Sequence, residues 1–154
     1  MEDIFIGVIS DTHGLLRPEV LEKLQGCSLI LHAGDVGKGE IIQELMEIAP
    51  VIAVRGNIDK DDWAKELHYT EVIEVKDTYI YLLHDLNQLD IDPKAGSFDV
   101  VISGHTHSPK EEFINGVLYL NPGSIGPKRF KLPISMVKLK ISNIGINTEF
   151  FTLI

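Results

Sequence analysis

Apolar runs that stop abruptly at Gly, Asp, Asn or His set the grain of this chain. Ile4-Phe5-Ile6-Gly7-Val8-Ile9 is almost wholly apolar and rich in β-branched residues, which predicts a strand buried on both faces of a helix-covered sheet. Pro18 opens a helix that carries Val20, Leu21 and Leu24 and ends near Gly26. Leu29 to Ala33 predicts a second short strand. After Gly37 and Gly39, the residues Ile41, Ile42, Leu45, Met46 and Ala49 recur at helical spacing, and Pro50 ends that helix. Val51 to Val54 is the third strand. Strand, helix, strand, helix, strand predicts a parallel α/β sheet.

The pattern then changes character. Asp59 to Lys65 is highly charged and predicts a loop or a single helical turn. Glu71 to Val75 and Thr78 to Leu83 predict a β-hairpin across Lys76-Asp77, its second strand running into His84-Asp85. Leu86 to Ala95 predicts a short helix interrupted by Pro93, and Phe98 to Ser103 a further strand. Glu112 to Ile114 and Val117 to Leu120 flank Asn115-Gly116, a strong two-residue hairpin turn. Asn121-Pro122-Gly123-Ser124 predicts a tight polar turn. Pro127 to Pro133, with Lys128, Arg129 and Lys131, is a basic loop, and Ile134 to Ile141 with Ile146 to Leu153 predict two closing strands. With no repeat, linker or low-complexity segment, one domain over residues 1–154 is the simplest organisation.

Composition narrows the function classes. With 14 Lys and Arg against 23 Asp and Glu, the formal net charge is −9, which argues against a nucleic-acid backbone as stable partner. Bound cations would locally reverse that field. The single cysteine, Cys27, excludes an internal disulfide framework and reads as a small core or helix-end residue of a protein in a reducing compartment. Met1-Glu2-Asp3-Ile4 places no basic region before the first apolar run, so no signal peptide is expected. No apolar segment approaches membrane-spanning length. The expectation is a cytoplasmic protein without a membrane partner.

Chemistry concentrates at the strand ends. Five predicted strands end in metal-competent side chains: Asp11 with His13, Asp35, Asn57, His84, and His105 with His107. Ligands of α/β sheets collect outside the carboxyl ends of strands. In Gly104-His105-Thr106-His107 the imidazoles alternate, and extended backbone would point both the same way, toward one cluster. Seven N and O donors exceed one tetrahedral site and suffice for two metals if a carboxylate bridges, for which Asp35 is the natural choice. Without thiolate, the cluster is not a Cys-rich structural zinc site.

Asp11-Thr12-His13, Gly34-Asp35, Gly56-Asn57, His84 and Gly104-His105-Thr106-His107 resemble, in order and spacing, the blocks of the calcineurin-like metallophosphoesterases. Compact length and Asn121-Pro122-Gly123-Ser124 resemble the small bacterial and archaeal phosphodiesterase branch. The resemblance implies a four-layer α/β/β/α sandwich of two mixed sheets flanked by helices. It implies one metal held by Asp11, His13, Asp35 and His107 and another by Asp35, Asn57, His84 and His105. The metals would be two divalent ions (Mn, Fe, Ni or Zn), with Mn the first choice for assay. The implied activity is hydrolysis of a small phosphodiester by a hydroxide held between the metals, with Asn57 a candidate phosphate contact. Two further readings follow from the same fold: a non-catalytic protein-binding scaffold like the retromer subunit, or a phosphomonoesterase.

Two positions depart from the broad pattern. Ile58 stands where the family usually has a histidine that acts on the phosphoryl or leaving group, although Asp59 keeps the acid that follows. Asp85 stands where a glycine often follows the histidine; it either holds His84 through a hydrogen bond or faces solvent. His32 reads as a hydrogen-bonded core histidine or as a group orienting a ligand. His68 has no assignable partner, and Trp63 is packing or a lid contact. Specificity is expected in residues 63–68, 86–96 and 126–133, and the hairpin after Glu112 suggests a homodimer.

Overall fold

The structure is a computed structural model and describes residues 2–129 and 131–153. Met1, at the head of the first apolar run, and Phe130, within the basic loop, lie outside the described residues. In chain order the elements are β1 (Ile4–Ile9), α1 (Pro18–Leu24), β2 (Leu29–His32), α2 (Gly39–Met46), β3 (Val51–Ala53), β4 (Thr70–Val75), β5 (Thr78–Leu83), β6 (Val100–Ile102), β7 (Lys110–Ile114), β8 (Val117–Asn121), β9 (Ile134–Ser142) and β10 (Gly145–Leu153).

Two mixed sheets of five strands each form a sandwich, in the orders β10-β9-β1-β2-β3 and β4-β5-β6-β8-β7. β1, β2 and β3 run parallel, with Val8 opposite Leu31 and Leu31 opposite Ile52. In the second sheet β5, β6 and β8 are parallel, and β4 and β7 close its edges antiparallel. The main core lies between the sheets: Ile6, Val8, Leu31 and Val137 of the first meet Ile80, Leu82, Ile102 and Leu118 of the second. A second cluster on the outer face of the first sheet packs Val20 and Leu24 of α1 and Ile41 and Leu45 of α2 against Ile9 and Ile30. Trp63 joins this cluster as a packing residue.

The outermost layer on the second sheet is thin. The predicted helix over residues 86–95 is a single 3-10 turn, Leu86–Gln88, followed by loop in which Leu89 and Ile91 cover Tyr81, Leu83 and Val101. Short polar side chains take the backbone groups that a helix would use. Asp85 Oδ1 accepts the Asn87 N–H (3.0 Å), and Asp92 Oδ1 accepts those of Lys94 (3.1 Å) and Ala95 (3.3 Å). The charged stretch after Asp59 forms another 3-10 turn, Asp62–Glu66. β6 is shorter than the run from Phe98 predicts, because the Asp99 carboxylate turns away to accept the Tyr79 N–H at 2.8 Å.

Candidate metal centre

The parallel strands β1, β2, β3, β5 and β6 all end at one rim of the sandwich, and the loops that follow them carry the predicted donors. Asp11 Oδ1 lies 3.3 Å from His107 Nε2 and 3.6 Å from His13 Nε2. Asp35 Oδ2 lies 3.5 Å from His13 Nε2 and 3.3 Å from His84 Nε2. One carboxylate oxygen of Asp35 therefore faces imidazoles from two different loops. Asp11, His13 and His107 form one compact donor group, and Asp11, Asp35 and His84 form another. Asn57 Oδ1 sits 3.0 Å from His84 Nε2. His105 is half out in solvent, with Nε2 3.9 Å from Asp85 Oδ2.

The backbone at these donors is unusual. Asp11, His13, Asp35, His105 and His107 all have positive φ, between 48° and 71°. Each costs of order 1–3 kcal/mol, which persists only where the surroundings demand it. This corrects the expectation of extended backbone at His105-Thr106-His107. The chain turns there, so the two imidazoles diverge: His107 faces Asp11, whereas His105 stands beside Asn57 and Asp85.

Several polar atoms here have too few partners of opposite sense, and that tests whether cations fit. Asp11 Oδ1, His13 Nε2 and His107 Nδ1 are buried without hydrogen bonds. His84 Nδ1 must donate to the Ala33 carbonyl (2.7 Å), so in the neutral ring Nε2 turns a bare lone pair toward Asp35. One end of the Asn57 amide lies among Asp35 Oδ2 and Oδ1, His84 Nε2 and His105 Nδ1, at 3.2, 3.3, 3.0 and 3.3 Å, where its nitrogen can donate to them. Lone pairs converging without intervening protons are what divalent cations require, and N/O donors without thiolate suit Mn, Fe, Ni or Zn.

The protonation tendencies agree. Burial would raise the Asp11 and Asp35 carboxyls, but imidazole hydrogen bonds and charge outweigh it and hold both below the usual carboxylate range. Burial would lower His84, yet Asp35, Asp11 and the Ala33 carbonyl raise it above an ordinary histidine. The proton that the carboxylates favour on His84 is one that a divalent cation would displace on binding.

Supporting residues hold the loops in register. Asp59 is buried and accepts the N–H groups of Val36 (3.2 Å), Gly37 (3.0 Å) and Gly56 (2.9 Å), clamping the loops after β2 and β3 together. His32 is wholly buried. Thr12 Oγ1 spends its proton on the Val36 carbonyl (2.7 Å), so His32 Nε2–H donates to Thr12 Oγ1 (3.0 Å), while His32 Nδ1 accepts the Gly34 N–H (3.0 Å). That fixes one neutral tautomer and ties the Asp11 loop to the Asp35 loop. Ser10 donates to Asp11 Oδ2 and Ser124 donates to the Asp11 carbonyl. Asn121 donates to the Gly104 carbonyl (3.0 Å) and Thr106 Oγ1 (3.1 Å). Sequence reading missed the Asp59 clamp and Asn121; a polar residue at a buried strand end was the available signal. Asp85 does not hold His84, because one oxygen caps the 3-10 turn and the other faces His105. His68 has a partner after all, Glu71 at 3.1 Å.

Comparison with known proteins places this geometry in a lineage. The description "calcineurin-like phosphoesterase superfamily domain" matches residues 4–144. A probable metallophosphoesterase of Methanocaldococcus jannaschii, MJ0623, is 35% identical over 91% of this chain and 77% of its own length. The phosphodiesterase MJ0936 of the same organism is 31% identical over 77% of this chain and 82% of its own. The solved structure of Vacuolar Protein Sorting 29 from Cryptosporidium parvum superposes with a TM-score of 0.77 over 98% of both chains; at 19% identity it shares the fold alone. With its strand-end donors in the family's order and a family match across most of its length, the chain belongs to the calcineurin-like phosphoesterase superfamily.

Proposed function

We propose that this chain is a single-domain, dinuclear metal-dependent phosphodiesterase of the cytoplasm. The convergence of Asp11, His13, Asp35, Asn57, His84, His105 and His107, with Asp11 Oδ1, His13 Nε2 and His107 Nδ1 buried without hydrogen bonds, carries the reading. Asp11, His13, Asp35 and His107 would hold one cation, and Asp35, Asn57, His84 and His105 the other. Two such cations supply electrophilic stabilisation of phosphoryl oxygens and lower the pKa of attacking water toward neutrality.

The chain's own residues set the rest. Asp35 offers an oxygen to both donor groups and so fixes their spacing. The Ala33 carbonyl holds His84 in the tautomer that leaves Nε2 free. Asn57 and His105 are the exposed members of the set and meet an entering phosphate first. Ile58, beside Asn57 and 41% exposed, offers no proton to a departing oxygen. Leaving groups that need none, such as aryloxides, should therefore depart faster than alkoxides.

The test is metal analysis of the purified chain, then hydrolysis of bis(4-nitrophenyl) phosphate with added manganese, beside an alkyl diester. Binding of two equivalents of metal and faster aryl hydrolysis support the reading. Absence of hydrolysis with any first-row dication would favour the scaffold alternative, and a preference for the aryl monoester would favour a phosphomonoesterase.

A further inference from the structure

Asn57, His84 and His105 line a cavity of about 330 Å3 together with side chains outside the donor set. One wall carries Tyr69, 63% exposed, an aromatic ring that contributes little to the core. It is held in place nonetheless. The Arg55 guanidinium lies 5.3 Å from the ring centroid, and Arg55 Nε is itself fixed by donating to the Asp59 carbonyl at 2.7 Å. The backbone N–H of Arg55 donates to the His68 carbonyl (2.8 Å), which ties the Tyr69 segment to the Asn57 loop. The lining also carries the acceptors of Asp85, Gln88 and Asp90.

We propose that this cavity is the subsite for one substituent of the substrate, and that the substituent is of nucleoside class: an uncharged planar ring stacked on Tyr69, with hydrogen-bond donors facing Asp90 and Gln88. The assignment rests on the phosphodiesterase reading of the adjoining site. Its volume lies at the small end of ligand pockets, which run from about 300 Å3, and suits a small substituent rather than a polymer. Asp85 and Asp90 repel a second phosphate, so the substituent bears none, which agrees with a chain of net charge −9 that does not track a polynucleotide. A cationic alcohol would suit the carboxylates, but the Arg55 guanidinium in the same lining opposes it. A flat neutral ring with hydrogen-bond donors suits the aromatic and the acceptor side chains of the lining together.

Two aryl esters with the same leaving group separate the subsite from the chemistry: thymidine 5′-(4-nitrophenyl) phosphate and methyl 4-nitrophenyl phosphate. In the manganese-loaded protein, Tyr69→Leu should lower the ratio of kcat/KM for the thymidine ester over the methyl ester about tenfold, the effect of losing one base–aromatic stack. Titration of thymidine alone, followed by calorimetry or amide chemical shifts, should show saturable binding to the wild-type chain and loss of it in Tyr69→Leu. A ratio that moves less than about twofold, or a wild-type preference for choline 4-nitrophenyl phosphate over the thymidine ester, overturns the proposal. If no ester turns over with any dication, the phosphodiesterase reading fails, and thymidine binding still decides the subsite: its absence overturns the proposal, its presence and dependence on Tyr69 sustain it.

Discussion

Replacing His32 by Asn should flatten the acid limb of the stability curve. His32 is fully buried, and burial, its largest influence, pushes it down to about 4 despite the nearby negative charges of Asp11 and Asp59. The hydrogen bonds say the same: Nδ1 faces the Gly34 N–H at 3.0 Å, so a second ring proton has nowhere to go. The unfolded chain takes up that proton near the ordinary value of about 6.5, and the folded chain does not until about 4. Between those values the unfolded state binds more protons, so stability falls as pH drops through the window and is fully retained above it. From pH 7.5 to pH 5 this single group should remove about 2 kcal/mol, from the ratio of the two binding polynomials.

Asn at position 32 can still accept the Gly34 N–H but cannot titrate. Urea unfolding of the metal-free chain at pH 7.5, 6 and 5, wild type beside His32→Asn, reads the difference. The variant should start out less stable by about 1–3 kcal/mol, from lost packing and the lost bond to Thr12. Its decline toward pH 5 should be shallower than that of the wild type by about 2 kcal/mol. The other shifted groups are common to both chains: Asp11 and Asp35, held low, lose stability only as pH falls into and below the ordinary carboxyl range, and His84, held high, favours the folded state as pH drops. Parallel declines would refute the buried neutral tautomer, and with it the account of how the Asp11 and Asp35 loops are joined.

Asp35→Asn alters the oxygen that lies 3.5 Å from His13 and 3.3 Å from His84, the proposed bridge, so metal content by mass spectrometry should fall for both cations together rather than one; loss of one equivalent alone would contradict that role. A methyl at Gly104 would sit 2.0 Å from Ser10 Oγ and 2.8 Å from Asp11 Oδ2, so Gly104→Ala should displace Asp11, weaken metal binding and cost about 1–3 kcal/mol by urea melts. Ile58→His should raise turnover of an alkyl diester relative to an aryl one, by up to about a hundredfold if a proton donor is what the site lacks. Ile80→Ala, in the core between the sheets, should cost about 2–5 kcal/mol while leaving metal stoichiometry unchanged in the folded fraction.

The parts of this molecule that were legible beforehand are those governed by local pattern. The apolar run Ile4–Ile9 has only one way to hide, between helices and a second sheet, and Asn115-Gly116 leaves a two-residue hairpin as the economical turn. The strand-end donors were visible because each apolar run ends in a side chain that a core would reject. What escaped reading depends on partners far along the chain. The segment 86–95 has helix-compatible residues, yet Asp85 and Asp92 capture its backbone N–H groups, a competition that periodicity does not encode. The His105 and His107 side chains were expected to point alike, and they diverge because positive φ at both turns the backbone between them. That strain is also the better clue to function. Sequence alone suggested seven donors at five strand ends. Left-handed conformations recur at Asp11, His13, Asp35, His105 and His107, and under the proposed metal reading that strain is what turns these donors inward. A core that merely needed polar caps at those ends would have relaxed each one separately. Lone pairs of buried carboxylates and unprotonated imidazole nitrogens brought within 4 Å repel one another, and the proposed cations would remove that repulsion.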